Sequence, residues 1–316
     1  MHRKILATVA AALSAVALAL TAPGPAHAAP LPVVWNFPIG FLPNIASFRN
    51  PPPGALEVDW RADAPAPACS SAIHPQPVLL LHGTWENQSN NWQALAPFLR
   101  NNGYCVYTTN YGGDADAVLQ GTYTVPESAR EISVVVDRIL AATGQPKLAI
   151  IGHSQGGGIT PRYYLKFFGG NARVDRLIGL APSNHGTTIS GLATLGEAVG
   201  ILDPVKLIAP GAMDQAVGSA VNRQLDAGGD TVPGVAYTVI INHGDQVITP
   251  YTNAFLTAGP GATVDNIELS RRCPLNLAEH LSVPYDSYVG ELVLNALSPR
   301  TAKEPVCRLT LPLIGG

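Results

Sequence analysis

Leu148-Ala-Ile-Ile-Gly152-His-Ser154-Gln-Gly156-Gly157 is the stretch that decides the fold of this chain. An apolar run ends at Gly152, a serine stands two residues on, and a second glycine stands two beyond that. The Gly-x-Ser-x-Gly spacing is that of a strand-to-helix elbow, a strained turn that projects a serine hydroxyl into a cleft. The residues two before and two after the serine are forced close together, so both must be small, as Gly152 and Gly156 are. Gln155 would open the following helix with its N–H turned toward a reacting carbonyl. Such a turn serves acyl transfer through a covalent serine intermediate. A glycine-rich turn with an incidental serine would share the same five letters. The apolar run before it and the helical stretch after it favour the elbow.

Outward from the elbow, short apolar runs alternate with helical periodicity. Val78–Leu81, Cys105–Thr108, Lys147–Ile151, Arg176–Leu180, Tyr237–Ile241 and Val264–Leu269 read as strands. Trp92, Leu95, Ala96 and Leu99 recur at helical spacing, as do Ile132, Val135, Val136 and Ile139 after Pro126-Glu127. A helix follows the elbow through Tyr163 to Phe168, and Val289, Leu292, Val293 and Ala296 mark a last one. Continuous apolar strands alternating with helices predict an α/β fold, with a mostly parallel central sheet covered on both faces. The longest interruption runs over about 185–234 and is largely apolar. It reads as a cap or lid-like insertion with an acyl channel, or else as an ordinary pair of packed helices.

A serine of high pKa needs a base within reach, and the base needs an orienting acid. The elbow resembles that of the α/β-hydrolases, in which the chain order is nucleophile, acid, histidine. Asp245 is the expected acid, because a β-branched strand ends in the polar turn Asn242-His-Gly-Asp245. Asp265 falls within the next strand, and Asp226 and Asp230 precede the Tyr237 strand. His280 is the expected base, lying after the last strand and before the last helix. His243 and His185 precede the acid, and His153 is expected to point elsewhere on the elbow. Oxyanion donors are expected from the N–H of Gln155 and from Thr84, in the loop His82-Gly-Thr-Trp85 after the first core strand.

Composition sets the compartment. The chain has 316 residues, 47% hydrophobic and only 13% charged, with net charge −3, 28 prolines and 31 glycines. No lysine/arginine block suggests a nucleic-acid partner. Met1-His-Arg-Lys4, the apolar run Ile5–Leu20 and Ala26-His-Ala28 read as a secretory signal peptide over residues 1–28. The run is short against the ~20 apolar residues a membrane span needs. Residues 29–76 are rich in proline and form an arm. Residues 77–316 form the catalytic domain with the insertion inside it. Four cysteines allow three pairings. Cys69–Cys105 and Cys273–Cys307 are expected, closing loops that tie both ends of the chain to the core. No cysteine/histidine spacing suits zinc, no carboxylate cluster suggests calcium, and neither a metal nor a cofactor is expected.

The residues Pro77-Val-Leu-Leu-Leu-His-Gly-Thr84, Asn91-Trp92, Gly103-Tyr-Cys105, Gly152-His-Ser-Gln-Gly-Gly157, Val174-Asp-Arg-Leu177, Ala181-Pro-Ser-Asn-His-Gly-Thr187 and Asp245-Gln-Val-Ile-Thr-Pro250 carry a resemblance. In this order they are similar to the secreted bacterial lipases of the class 2 lipase family, and to a yeast lipase, over nearly the whole mature chain. The resemblance implies an α/β-hydrolase fold and carboxylic ester hydrolysis. It implies Ser154 as nucleophile, Asp245 as acid, His280 as base, and Thr84 and Gln155 as oxyanion donors. His82 and His153 depart from it, standing where the yeast lipase has proline and tryptophan, and 185–234 matches only loosely. The expected protein is therefore a secreted, monomeric triacylglycerol lipase acting on an ester or lipid substrate, in solution or at an oil–water interface. Its rivals are a short-chain esterase, a polyester hydrolase, an acyltransferase, and a non-catalytic secreted binding module on the same fold. Complete Ser154, Asp245 and His280 argue against the last.

Overall fold

Seven strands form one all-parallel sheet in the order β1-β3-β2-β4-β5-β6-β7. They are β1 Leu56–Glu57, β2 His74–Leu81, β3 Tyr104–Thr108, β4 Leu148–His153, β5 Val174–Leu180, β6 Ala236–Ile241 and β7 Thr263–Glu268. The computed structural model describes residues 29–37, 47–200 and 209–316. Within it Leu31–Gly316 is one compact unit. The signal-peptide reading, the segment 201–208 of the insertion and part of the proline-rich arm lie outside the described residues.

Period-two alternation divides the core in two. Leu79, Leu81, Ile150, Leu177, Val239 and Ile241 face one side, beneath the helices Val125–Thr143 and Ile159–Phe167. Val78, Leu80, Val106, Ala149, Ile151, Ile178 and Ile240 face the other, against the helices Leu95–Asn101 and Ser287–Leu297. Successive side chains of a strand point to opposite faces, and burial on both faces is why these strands read as unbroken apolar runs.

The helix Val125–Thr143 shows why local sequence suffices for much of this. Thr124 and Glu127 form a reciprocal capping box, Pro126 stands in the first turn, and Gly144 ends the helix at φ 67°. Its buried stripe is Val125, Ala129, Ile132, Val136, Ile139 and Leu140, the spacing of one helix face.

The proline-rich arm supplies more than an extended tether. It contributes β1, which pairs with β3, and β2 begins already at His74. Disulfides join Cys69 to Cys105 and Cys273 to Cys307. The C-terminal strap returns to the body: Phe37 N donates to Ile314 O at 2.7 Å, and Leu277 N to Thr310 O at 3.0 Å.

Candidate active site

At the C-terminal end of β4, Ser154 sits at φ 54°, the left-handed region that a serine rarely adopts. The chain then forms a 3₁₀ turn, Ser154–Gly157, before the helix Ile159–Phe167. The glycines are sterically obligatory. A Cβ on Gly152 would fall 1.8 Å from Gly156 O, and one on Gly156 would fall 2.3 Å from His82 O. Gly157 belongs to the same set, its Cβ position being 2.2 Å from Gly152 O. The pentapeptide spacing names only the first two.

Asp245 lies in the turn after β6. Its Oδ1 accepts from Val247 N and Ile248 N, both at 2.8 Å, and its Oδ2 lies 2.8 Å from His280 Nδ1. Both side chains are buried. Oδ2 can only accept, so Nδ1 carries the proton and Nε2 of the neutral ring is left as an acceptor. The two loops are stitched together. Asn242 Nδ2 donates to Asn276 O at 3.0 Å and Ala278 O at 2.9 Å, and Gln246 Nε2 donates to Glu279 Oε2 at 2.8 Å. The His280 ring lies 4.9 Å, centroid to centroid, from that of His153, the residue before Ser154. Ser154 Oγ and His280 Nε2 are both buried, and neither has a hydrogen-bond partner. A hydroxyl and an imidazole nitrogen left unpartnered in a closed site are poised for a reacting group, since buried polar atoms are otherwise paired.

Thr84 and Gln155 come together as neighbours, both fully buried. The Thr84 hydroxyl donates to Gln155 Oε1 at 3.1 Å and accepts from Gln215 Nε2 at 2.7 Å. In this state the hydroxyl is therefore engaged with a side chain, and it must rotate to serve an oxyanion. Gln215 follows the short helix Pro210–Asp214 of the insertion, whose Gly211 N donates to Thr122 O at 2.9 Å. The insertion thus reaches the Thr84 loop directly, through a residue that sequence reasoning did not single out.

The model for the α/β-hydrolase fold matches residues 76–204. Lipase B of Pseudozyma antarctica is 25% identical over 275 residues, covering 84% of this chain and 72% of that protein. A triacylglycerol lipase of Burkholderia plantarii is 32% identical over 116 residues, 35% of this chain and 31% of its own. Among solved structures, lipase B of Aspergillus fumigatus superposes with a TM-score of 0.57 at 21% identity, over 77% of this chain and 56% of that one. The chain has the α/β-hydrolase fold and is similar to these lipases. It spans little more than half the length of the Aspergillus structure.

Other residues of this α/β-hydrolase fall where the sequence did not lead. His153 makes no hydrogen bond to Ser154. It is fully buried, with Nδ1 2.7 Å from Glu86 Oε2 and Nε2 2.9 Å from the carbonyl of His280. His82 stacks on Tyr111 and accepts from Tyr111 N at its Nε2, and burial pushes its pKa down to about 4, so it is neutral. His243 packs against Glu268, and Asp265 lies on β7. Although no carboxylate cluster was legible in the sequence, His185, Asp226 and Asp230 converge, with their donor atoms within 4.8 Å of one another. Arg162, buried beside them, brings Nη2 to 3.9 and 3.8 Å from the two carboxylates and supplies the balancing positive charge. That cluster is an ion-pair knot between the helix Ile159–Phe167 and the insertion.

Proposed function

We propose that this protein is a secreted carboxylic ester hydrolase, acting on lipidic esters through an acyl-enzyme on Ser154. The observation that carries the reading is the Asp245–His280 pair, closed at 2.8 Å and set against an elbow that holds Ser154 at positive φ. In this mechanism Ser154 Oγ attacks the ester carbonyl while His280 Nε2 takes its proton. Asp245 holds the ring and stabilises the imidazolium. The N–H groups of Thr84 and Gln155 face the developing oxyanion, joined by the Thr84 hydroxyl once it rotates. His280 then protonates the departing alcohol and activates water to release the acid. A phosphonate that labels Ser154 stoichiometrically and stops turnover supports the assignment. Labelling elsewhere, with turnover intact, overturns it.

Secretion is supported by the two disulfides, which persist in oxidising compartments. No helix among the described residues is long and apolar enough to cross a membrane. The lipidic preference is supported by apolar surface beside the site. Leu277 and Leu313 line a groove of about 480 Å³ next to Glu279, one residue from His280. Leu275 on the histidine loop, Leu309 and Leu311 on the C-terminal strap, and Ile189 and Val217 on the insertion are also exposed. Exposed apolar side chains of this kind are suited to contact with an aggregated ester. Across acetyl to oleoyl esters, with and without an emulsified phase, kcat/KM is expected to rise with chain length and with the interface. A steady fall from acetyl onward makes the protein a short-chain esterase instead.

The pH dependence follows from His280. Burial alone would depress its pKa, but the Asp245 charge and hydrogen bond outweigh burial and raise it above the ordinary 6.5. The base must be neutral to accept the serine proton. Activity is therefore expected to be lost as pH falls through a limb lying above 6.5. In Asp245→Asn the opposing charge is gone and burial prevails, so the limb moves to lower pH while the plateau drops by about 10⁴-fold. A kcat/KM–pH profile of both proteins checks this, and an unmoved limb refutes the pairing.

A further inference from the structure

Behind the elbow lies a second buried acid–histidine pair that the proposed hydrolysis does not use. Glu86 and His153 are 2% and 0% exposed. Glu86 Oε2 accepts from Gly83 N at 3.1 Å and lies 2.7 Å from His153 Nδ1. Asn91 braces the same corner: its Oδ1 accepts from Gly83 N at 3.0 Å, and its Nδ2 lies 3.1 Å from His153 Nδ1. On the far side of the ring, His153 Nε2 lies 2.9 Å from the backbone carbonyl of His280. One carboxylate and one imidazole therefore join three separate segments: the oxyanion loop, the elbow and the histidine loop.

The chemistry of the contacts orients the pair. A carbonyl only accepts, so His153 Nε2 must carry hydrogen. Nδ1 faces a carboxylate, and a proton between them makes that contact charge-assisted and short. Burial works against the Glu86 charge, but His153 outweighs it and holds the carboxyl below its ordinary value. Of the two other imidazoles near Glu86, His82 is neutral and turned to Tyr111, and His280 is paired with Asp245. The loop carrying His280 belongs to no strand or helix, so its backbone depends on such side-chain ties for position. A base displaced by ~1 Å loses on the order of 10²-fold in rate.

We propose that Glu86 and His153 are a positioning pair, which clamps the backbone of His280 and the Gly83 amide to the nucleophile elbow so that base and oxyanion loop keep one geometry about Ser154. The proposal rests on the hydrolytic reading of that site. Glu86 and His153 touch neither substrate nor the reacting atoms, and they act through His280 and Gly83.

The test is turnover per competent site. Full-length mature protein carrying Glu86→Gln, His153→Gln or both is titrated with a chromogenic phosphonate. The number of reactive Ser154 sites, the rate of labelling, kcat and KM on p-nitrophenyl butyrate, and the thermal midpoint are then measured. Per titrated site, Glu86→Gln is expected to lower kcat and the labelling rate together by about 10- to 100-fold, with KM changed less than about 3-fold. The double variant should lose no more than the worse single one, because the pair acts as a unit. Glu86→Asp, which keeps the charge, should recover part of the loss. A merely structural pair would lower the number of titratable sites and the thermal midpoint, yet leave kcat per site unchanged. That result overturns the proposal, as do additive losses in the double variant. Should Glu86→Gln fail to fold, His153→Gln carries the same kcat-per-site criterion. A wild-type protein that neither labels nor turns over defeats the hydrolytic reading, and this proposal falls with it.

Discussion

Ser154→Ala is expected to leave a folded protein whose kcat on p-nitrophenyl esters has dropped on the order of 10⁶-fold. Without Oγ no acyl-enzyme forms, and the Asp245–His280 pair has no proton to take. What persists is the modest rate that a positioned oxyanion loop gives to direct attack by water. Stability should not fall, because Ser154 Oγ has no hydrogen-bond partner to abandon. The strain at φ 54° is equally present in alanine, whereas Ser154→Gly should relieve it and gain roughly 1 kcal/mol. Kinetics and thermal melts of the two variants read both effects. Substantial turnover by a verified Ser154→Ala protein removes the serine from the mechanism. A large loss of stability in the same protein would show that its hydroxyl is structural.

Among the described glycines, Gly152 meets the closest contact, and Gly152→Ala is expected to have a large structural effect. The added Cβ would meet Gly156 O at 1.8 Å and the Gly156 carbonyl carbon at 2.2 Å. Both are backbone atoms of the turn itself, so no side chain can move aside. The elbow must open, and β4, which carries it, pairs with both β2 and β5 at the centre of the sheet. A cost of about 4 kcal/mol or more is expected, at the extreme of single substitutions. Any protein that survives should have lost the geometry of Ser154 as well. Gly244→Ala is the stability control, since nothing lies within 4 Å of its Cβ position. Denaturant midpoints near wild type for both variants would contradict the close approach.

Read beside the structure, the sequence made most of the architecture legible. Unbroken apolar runs placed β3 through β6 to within a few residues, because a strand buried on both faces has no polar side to blur its signal, whereas the edge strand β7 is mostly exposed over its first half. Capping and periodicity did the same for Val125–Thr143. The two-residue β1 carries too little pattern to stand out from a proline-rich arm. At the site, chain order and loop context led to Ser154, Asp245 and His280, and the structure brings Asp245 and His280 into contact. Nothing local to His153 signals what its ring binds. Its partners stand 67 and 127 residues away along the chain.

The sequence by itself determined what local sterics and burial periodicity can encode. It specified an elbow that only glycines permit, strands that only a covered sheet accommodates, and the order in which serine, acid and histidine follow. The tertiary structure alone decided which distant groups meet. It placed Glu86 on His153, His153 on the carbonyl of His280, Gln215 on Thr84, and Arg162 among Asp226 and Asp230. Each of these contacts joins segments that the sheet order brings together, and each involves a polar side chain that must find a partner once buried. A residue's need for a partner is written in its chemistry, but the partner's identity follows only from the packing of the folded chain.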